Sequence, residues 1–278
     1  MAVTPADVKK LRTATDAGML DCKKALVEAD GDFAKAEKIL KEKGLANAGK
    51  RADRATTEGA VFTYITDNKA CAIELDCETD FVAKTDQFKE LGSTIAKTCL
   101  EKGLTEINDE LDVMIKEGIT VLKENMVVKK IELTDIADDE VVAEYSHNGG
   151  QIGVLVKLKC DSVETAAKDE VKQIAFDLAL HGAAFNPPYL NRGGIPETYI
   201  KEQEEIFTTQ AENMDKPANV VAGIVKGKLN KHLSQICFVD QAFVKNDKIT
   251  CKKAIEEVAK AAGGKVEMTG YTYFAVGQ

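Results

Sequence analysis

The residues able to do chemistry are few and scattered. Three histidines occur, His147, His181 and His232, and none stands at the spacing of a Ser-His-Asp set or of a His-x-x-x-His metal helix. The seven cysteines include no Cys-x-x-Cys pair and no histidine at ligand spacing. An odd, dispersed set of this kind reads as reduced thiols of a cytosolic protein, not as a disulfide framework or a zinc site. Gly149, Gly150 and Gly153 are followed by neither a helix start nor Gly-Lys-Ser/Thr, so they do not cradle a phosphate. Glu78 and Asp80 form an acidic pair, common in a charged, solvated loop. Acid–base catalysis needs a base, an orienting group and a pocket, and no such set can be assembled. The sequence therefore predicts no enzyme, no cofactor, no metal site and no small-molecule substrate. His181 closes a predicted helix, where a cation complements the dipole; His232 falls on a helical arm, and His147 before a Gly-Gly turn, exposed.

What remains is a residue placed for binding. Cys71 to Cys77 alternates apolar and polar residues and ends in Glu78-Thr79-Asp80-Phe81-Val82-Ala83-Lys84-Thr85. Thr79 is a natural N-cap, which predicts a short turn from Asp80, and Thr85-Asp86 opens the next helix. Phe81 thus falls at the tip of a strand-to-helix connection, where a rigid scaffold can offer a side chain to a partner. The pattern alone leaves a second reading open, in which Phe81 folds back and staples that helix to the sheet.

The elements that position this tip follow from composition and periodicity. A chain of 278 residues can form two or three domains, and 44% hydrophobic with 30% charged residues describes a soluble globular protein. A net charge of −9 and a pI near 5.1 argue against direct nucleic-acid binding, which requires clustered Lys and Arg. The N-terminus shows no signal peptide, and apolar runs such as Ile152 to Leu158 are far too short for a membrane span. The predicted compartment is cytoplasmic.

Residues 4 to 44 read as three short helices. Thr4-Pro5 starts the first, which carries Val8 and Leu11; Leu20, Cys22, Ala25, Leu26 and Ala29 stripe the second; Phe33, Ala36, Ile39 and Leu40 stripe the third, which Gly44 is predicted to end. Their size and order look like a ubiquitin-associated-type fold, too small for chemistry of its own. Leu45 to Thr57 reads as a partly helical linker that lets this module move. From Gly59 the period becomes two: a hairpin turning at Asp67-Asn68, a covering helix through Phe88, Leu91, Gly92, Ile95 and Cys99, a helix from Asn108 to Lys123, and a strand from Met126 to Leu133. The pattern recurs as a hairpin through His147 and Ile152 to Leu158, covered by Val171, Ile174, Ala175 and Leu178. In this second copy Asp161-Ser162-Val163 is matched to Asp80-Phe81-Val82. Asn186-Pro187-Pro188 then opens an insertion with helices over 196–214 and 217–235. Tyr199, Ile206, Gln210 and Met214 are predicted to face Val221, Val225, Leu229, His232 and Ile236. A helix from Ile249 to Ala262 and a strand from Lys265 to Val276 close the chain. The predicted class is α+β, with a duplicated core of antiparallel hairpins covered by helices. Its domains are the three-helix module and linker over 1–55, one core half over 56–140, the other over 141–184 and 236–278, and an antiparallel coiled-coil arm over 185–235.

Three motifs carry a resemblance to a known family. Glu78 to Thr85, Asp16-Ala17-Gly18-Met19-Leu20-Asp21-Cys22-Lys23-Lys24-Ala25-Leu26, and His147-Asn148-Gly149-Gly150-Gln151-Ile152-Gly153-Val154-Leu155-Val156 resemble, in order and spacing, the signatures of the elongation factor Ts family. The resemblance implies a guanine nucleotide exchange factor that binds elongation factor Tu and promotes GDP release. It implies that Phe81 is displayed and that Thr79, Asp80, Phe81 and Val82 form the segment that dislodges magnesium. It further places Val8, Lys9, Arg12, Met19, Met126 and His147 at partner contacts, and it fits the coiled-coil insertion. The resemblance departs at Gly277-Gln278, where other members continue into a further helical module. The competing expectation is a chaperone or scaffold that binds a GTPase without exchanging its nucleotide.

Overall fold

The computed structural model describes residues 3–15, 17–212 and 217–278, which fall into two compact units. The first contains residues 1–135, 147–152 and 274–278. Its first three helices are α1 (Pro5–Thr15), α2 (Met19–Glu28) and α3 (Phe33–Gly49). Thr4 and Asp7 cap α1 reciprocally: Thr4 N donates to Asp7 Oδ2 (3.0 Å) and Asp7 N to Thr4 Oγ1 (3.3 Å). Val8, Leu11, Cys22, Ala25, Leu26, Ala36 and Leu40 form the core of the module. Leu20 does not join them. It lies about 200° from Cys22 round a 3.6-residue helix and is exposed. Asp16, in the expected turn, lies outside the described residues.

Gly44 does not stop α3. It is a close-contact glycine: a Cβ there would come within 2.3 Å of Thr120 Cγ2. The helix continues to Gly49, packed on α6 (Asp109–Leu122), with a Lys41–Glu117 ion pair at 2.6 Å. The turn after it is tied down as well, because the Asn125 amide donates to the carbonyls of Ala52 (3.2 Å) and Arg54 (2.8 Å). The segment expected to be a mobile linker is thus a helix end and a pinned turn.

Strands β1 (Glu58–Ile65), β2 (Lys69–Cys77) and β3 (Met126–Asp135) form an antiparallel sheet in the order β1-β2-β3. The hairpin turns at Asp67-Asn68, closed by Thr66 N to Lys69 O at 2.8 Å. After β2 come one helical turn, α4 (Asp80–Ala83), and then α5 (Asp86–Lys102). Phe88, Ile95 and Cys99 of α5 and Leu111, Ile115 and Ile119 of α6 bury the face of β2 that carries Cys71, Ile73, Leu75 and Cys77. The other face of β2 is not wet either. Glu74 and Asp76 are each 1% exposed. Residues of the C-terminal stretch lie there: Gly277 N donates to Glu74 Oε1 (3.2 Å), and Lys130 pairs with Glu74 (3.0 Å) while its ammonium lies 5.5 Å from the Phe274 ring.

The second unit contains residues 136–146 and 153–273. Strands β4 (Glu140–His147), β5 (Ile152–Cys160) and, further along, β8 (Val266–Ala275) form a second three-stranded sheet in the order β4-β5-β8. The one-turn α7 (Val163–Ala166) leads into α8 (Asp169–Phe185), whose Val171, Ile174, Ala175 and Leu178 are buried. Strand, capped turn and covering helix are therefore repeated. The cap of α7 is Ser162, equivalent to Thr79, so Glu164 and not Ser162 stands in the place of Phe81.

The insertion forms α9 (Glu197–Glu212) and α10 (Ala218–Ile236), packed together, with Tyr199 OH and His232 Nε2 2.8 Å apart. Ile206 was expected on the contact face but is exposed. The face runs at four-residue steps through Tyr199, Phe207 and Ala211 instead, and Ile206 is rotated off it. Met214 lies outside the described residues. A short hairpin, β6 (Ala242–Phe243) and β7 (Asn246–Thr250), takes up Ile249, so α11 (Cys251–Ala262), capped by Thr250, begins two residues later than expected. Among the described residues no helix is long and apolar enough to cross a membrane.

Candidate functional site

Two threonine caps isolate α4 as a separate turn. Thr79 Oγ1 accepts from Val82 N (3.4 Å), while Thr85 Oγ1 accepts from Phe88 N (3.2 Å) and donates to Val82 O (2.8 Å). The turn's inner side, Val82 and Ala83, packs against the core of the first unit. Its outer side carries Phe81, which is 80% exposed. The staple reading is thus excluded: one helical turn puts Val82 inward and Phe81, 100° round the axis, into solvent.

The acidic residues beside Phe81 have different tasks. Asp80 pairs with Lys84 at 2.5 Å, and that hydrogen bond holds its carboxyl below the usual value and raises the Lys84 ammonium. Glu78 is not a solvated partner of Asp80. It is half-buried and accepts from Asn125 N (2.6 Å) and Arg54 Nη1 (3.3 Å). In return Glu124 accepts from Thr79 N (3.0 Å) and Thr79 Oγ1 (2.6 Å). Sequence reasoning missed Glu124, Asn125 and Arg54, which lie in no motif and are brought to the tip only by the sheet. The one local signal is a helix ending at Lys123 with no glycine. Lys123 itself takes the left-handed conformation (φ 66°) that turns the chain toward Thr79.

The other expected contact residues fall into two groups. Lys9, Arg12, Met19 and His147 are exposed, Met19 at 46%. Val8 and Met126 are buried, at 6% and 3%, in the helical module and under the first sheet respectively, because each lies on the apolar face of its element. His147 precedes a turn in which Asn148, Gly149 and Gly150 all have positive φ. A Cβ at Gly150 would come within 3.0 Å of that of Ala60, so this turn lies against β1.

Elsewhere the titratable groups are structural. His181 is no exposed cation at a helix end. It is fully buried, with Nε2 2.8 Å from Gln241 Oε1 and Nδ1 accepting from Val244 N (3.2 Å). Burial holds its pKa below the usual value, so the ring is neutral. All seven cysteines are buried and unpaired. Among the described residues no group of three or more His, Cys, Asp or Glu side chains could hold a metal ion.

Comparison with known proteins bears directly on this arrangement. Residues 78–278, starting at the tip motif, match the family model described as elongation factor TS. Over 277 residues the chain is 45% identical to elongation factor Ts of Treponema denticola, covering 100% of this chain and 99% of that protein. It is 46% identical over 276 residues to elongation factor Ts of Borreliella burgdorferi, covering 99% of each. It is also 45% identical over 278 residues to elongation factor Ts of Borrelia duttonii, covering 100% of each.

Proposed function

From the premise that this chain belongs to the elongation factor Ts family, we propose that it drives nucleotide off its partner GTPase through the displayed Phe81. The protein is a nucleotide exchange factor for elongation factor Tu in translation elongation, and not an enzyme. An exchange factor must bind the empty GTPase better than the loaded one, so each ligand weakens the other by the same factor. A GTPase holds its nucleotide through backbone N–H groups around the phosphates and a magnesium ion. The proposed device is a wedge: Phe81 enters between helices of the GTPase domain, with Asp80 beside it near the metal, and Thr79 to Val82 displace the magnesium. The observation that carries this reading is a large apolar side chain, 80% exposed, on a turn held at both ends by caps.

Lys9, Arg12 and Met19 give a second contact on the helical module, with Val8 beneath them. His147 and the segment from Met126 bear on the same GTPase, and the second half of the core holds another of its domains, against which the wedge can push. A net charge of −9 favours contacts with protein over contacts with RNA or membrane, and buried cysteines without disulfides fit a cytoplasmic location. Stopped-flow release of a fluorescent GDP from the cognate elongation factor Tu tests the wedge. Phe81→Ala slows release at saturating protein far more than it weakens binding to the GDP-loaded GTPase; equal losses in both would refute it.

A further inference from the structure

We infer that Glu124 is a positioning residue for nucleotide exchange, holding the turn that displays Phe81 in its working pose. This rests on the reading of Phe81 as the wedge. A wedge transmits force only if its base cannot yield, and α4 cannot brace itself. It has four residues, too few to be stable alone, and its own capping bond to Val82 N is long, at 3.4 Å. Phe81 is solvent-exposed and adds little packing to hold the turn.

Both polar groups of Thr79 end instead on one carboxylate. Glu124 Oε2 accepts the backbone N–H (3.0 Å) and Oε1 the hydroxyl (2.6 Å), so the residue that opens α4 is gripped by two charge-assisted bonds. Glu124 is in turn fixed from both sides. Before it, α6 is anchored in the core by Leu111, Ile115 and Ile119 and ends in the left-handed Lys123. After it, Asn125 is 2% exposed, and its N–H donates to Glu78 (2.6 Å), the residue preceding Thr79. Two consecutive residues at the base of the tip are thus clamped by two consecutive residues of a turn 45 and 47 positions away in the chain. Arg54 backs the Glu78 carboxylate, and the Asn125 side chain closes the clamp onto the carbonyls of Ala52 and Arg54. Glu124 is partly buried and both of its oxygens are taken up by Thr79, so it acts through the turn that carries Phe81 and not by touching the partner.

The test is a double-mutant cycle on GDP release from elongation factor Tu, read at saturating exchange factor and as the concentration giving half-maximal release. Glu124→Ala lowers the saturating rate at least about tenfold, about 1.4 kcal/mol, and changes the half-maximal concentration by less than about threefold. Glu124→Gln can still accept from Thr79 N and can donate to Thr79 Oγ1, so it stays within about threefold of the unaltered protein. Combining Glu124→Ala with Phe81→Ala gives a protein no slower than Phe81→Ala alone, because the clamp has nothing left to position. If Glu124→Ala does not fold, Thr79→Ser, which keeps both bonds to Glu124 and the cap, stays within about threefold of the unaltered protein. Thr79→Val, which keeps the backbone bond but loses the hydroxyl bond and the cap, lowers the saturating rate. A Thr79→Val protein as fast as the unaltered one would overturn the inference. An unchanged saturating rate in Glu124→Ala beside a slow Phe81→Ala, or losses that simply add, would overturn the inference alone. A Phe81→Ala protein as fast as the unaltered one would overturn the wedge and this inference together.

Discussion

Replacing Asp76 by Asn should stabilise the first unit at neutral pH and do nothing in acid. Asp76 is 1% exposed on β2, and its Oδ1 has no hydrogen-bond partner. Burial first, and then repulsion from Glu74 two residues earlier, raise its pKa from 3.8 to about 6, against the pull of Lys129 and Lys130. The sign follows from linkage. A carboxyl that holds its proton more tightly when folded costs nothing below the unfolded value of 3.8, and its cost grows as pH rises to about 6. The gap of roughly two pH units corresponds to about 3 kcal/mol above pH 6. An Asn of the same shape carries no charge and can donate toward Glu74. Urea unfolding followed by circular dichroism at pH 8 should show Asp76→Asn more stable by about that amount, with the advantage vanishing below pH 4. A variant less stable at pH 8, or an advantage independent of pH, would refute the reasoning.

Two further outcomes follow from packing and exposure. A Cβ at Gly92 would fall 2.2 Å from the Phe62 ring, which packs against Phe88, so Gly92→Ala should cost about 1–3 kcal/mol and lower the melting temperature. Met19→Ala should weaken complex formation with elongation factor Tu by up to about tenfold, through lost apolar contact, yet leave GDP release at saturation unchanged. A fall in the saturating rate would instead place Met19 in the exchange step.

Much of the first unit was legible because local signals agreed with one another. Thr79, Thr85 and Asn108 are caps that name the starts of α4, α5 and α6, and the change of period at Gly59 marks the first strand. Display of Phe81 is not legible in the cap and the turn, which fit the stapled alternative as well; the family resemblance implies it, and the structure shows the side chain exposed. Gly44 misled because a glycine that ends a helix and one that lets two helices approach look the same in sequence; only Thr120, 76 positions away, tells them apart. Likewise the burial of Glu74, a polar residue of an alternating strand, depends on a contact with Gly277, 203 positions away. Glu124 and Asn125 were illegible for the same reason, since their partners at the tip are non-local. Ser162 was the exception, a local cap signal overlooked in matching the two copies.

The most direct test of the wedge is the affinity of this protein for nucleotide-free elongation factor Tu divided by its affinity for the GDP-loaded form. Burying one largely exposed Phe contributes about 2 kcal/mol, so Phe81→Ala should shrink that ratio roughly thirtyfold, chiefly by weakening the nucleotide-free complex. If both affinities fall by the same factor and the ratio stays put, Phe81 binds the GTPase without expelling its nucleotide, and the account is wrong.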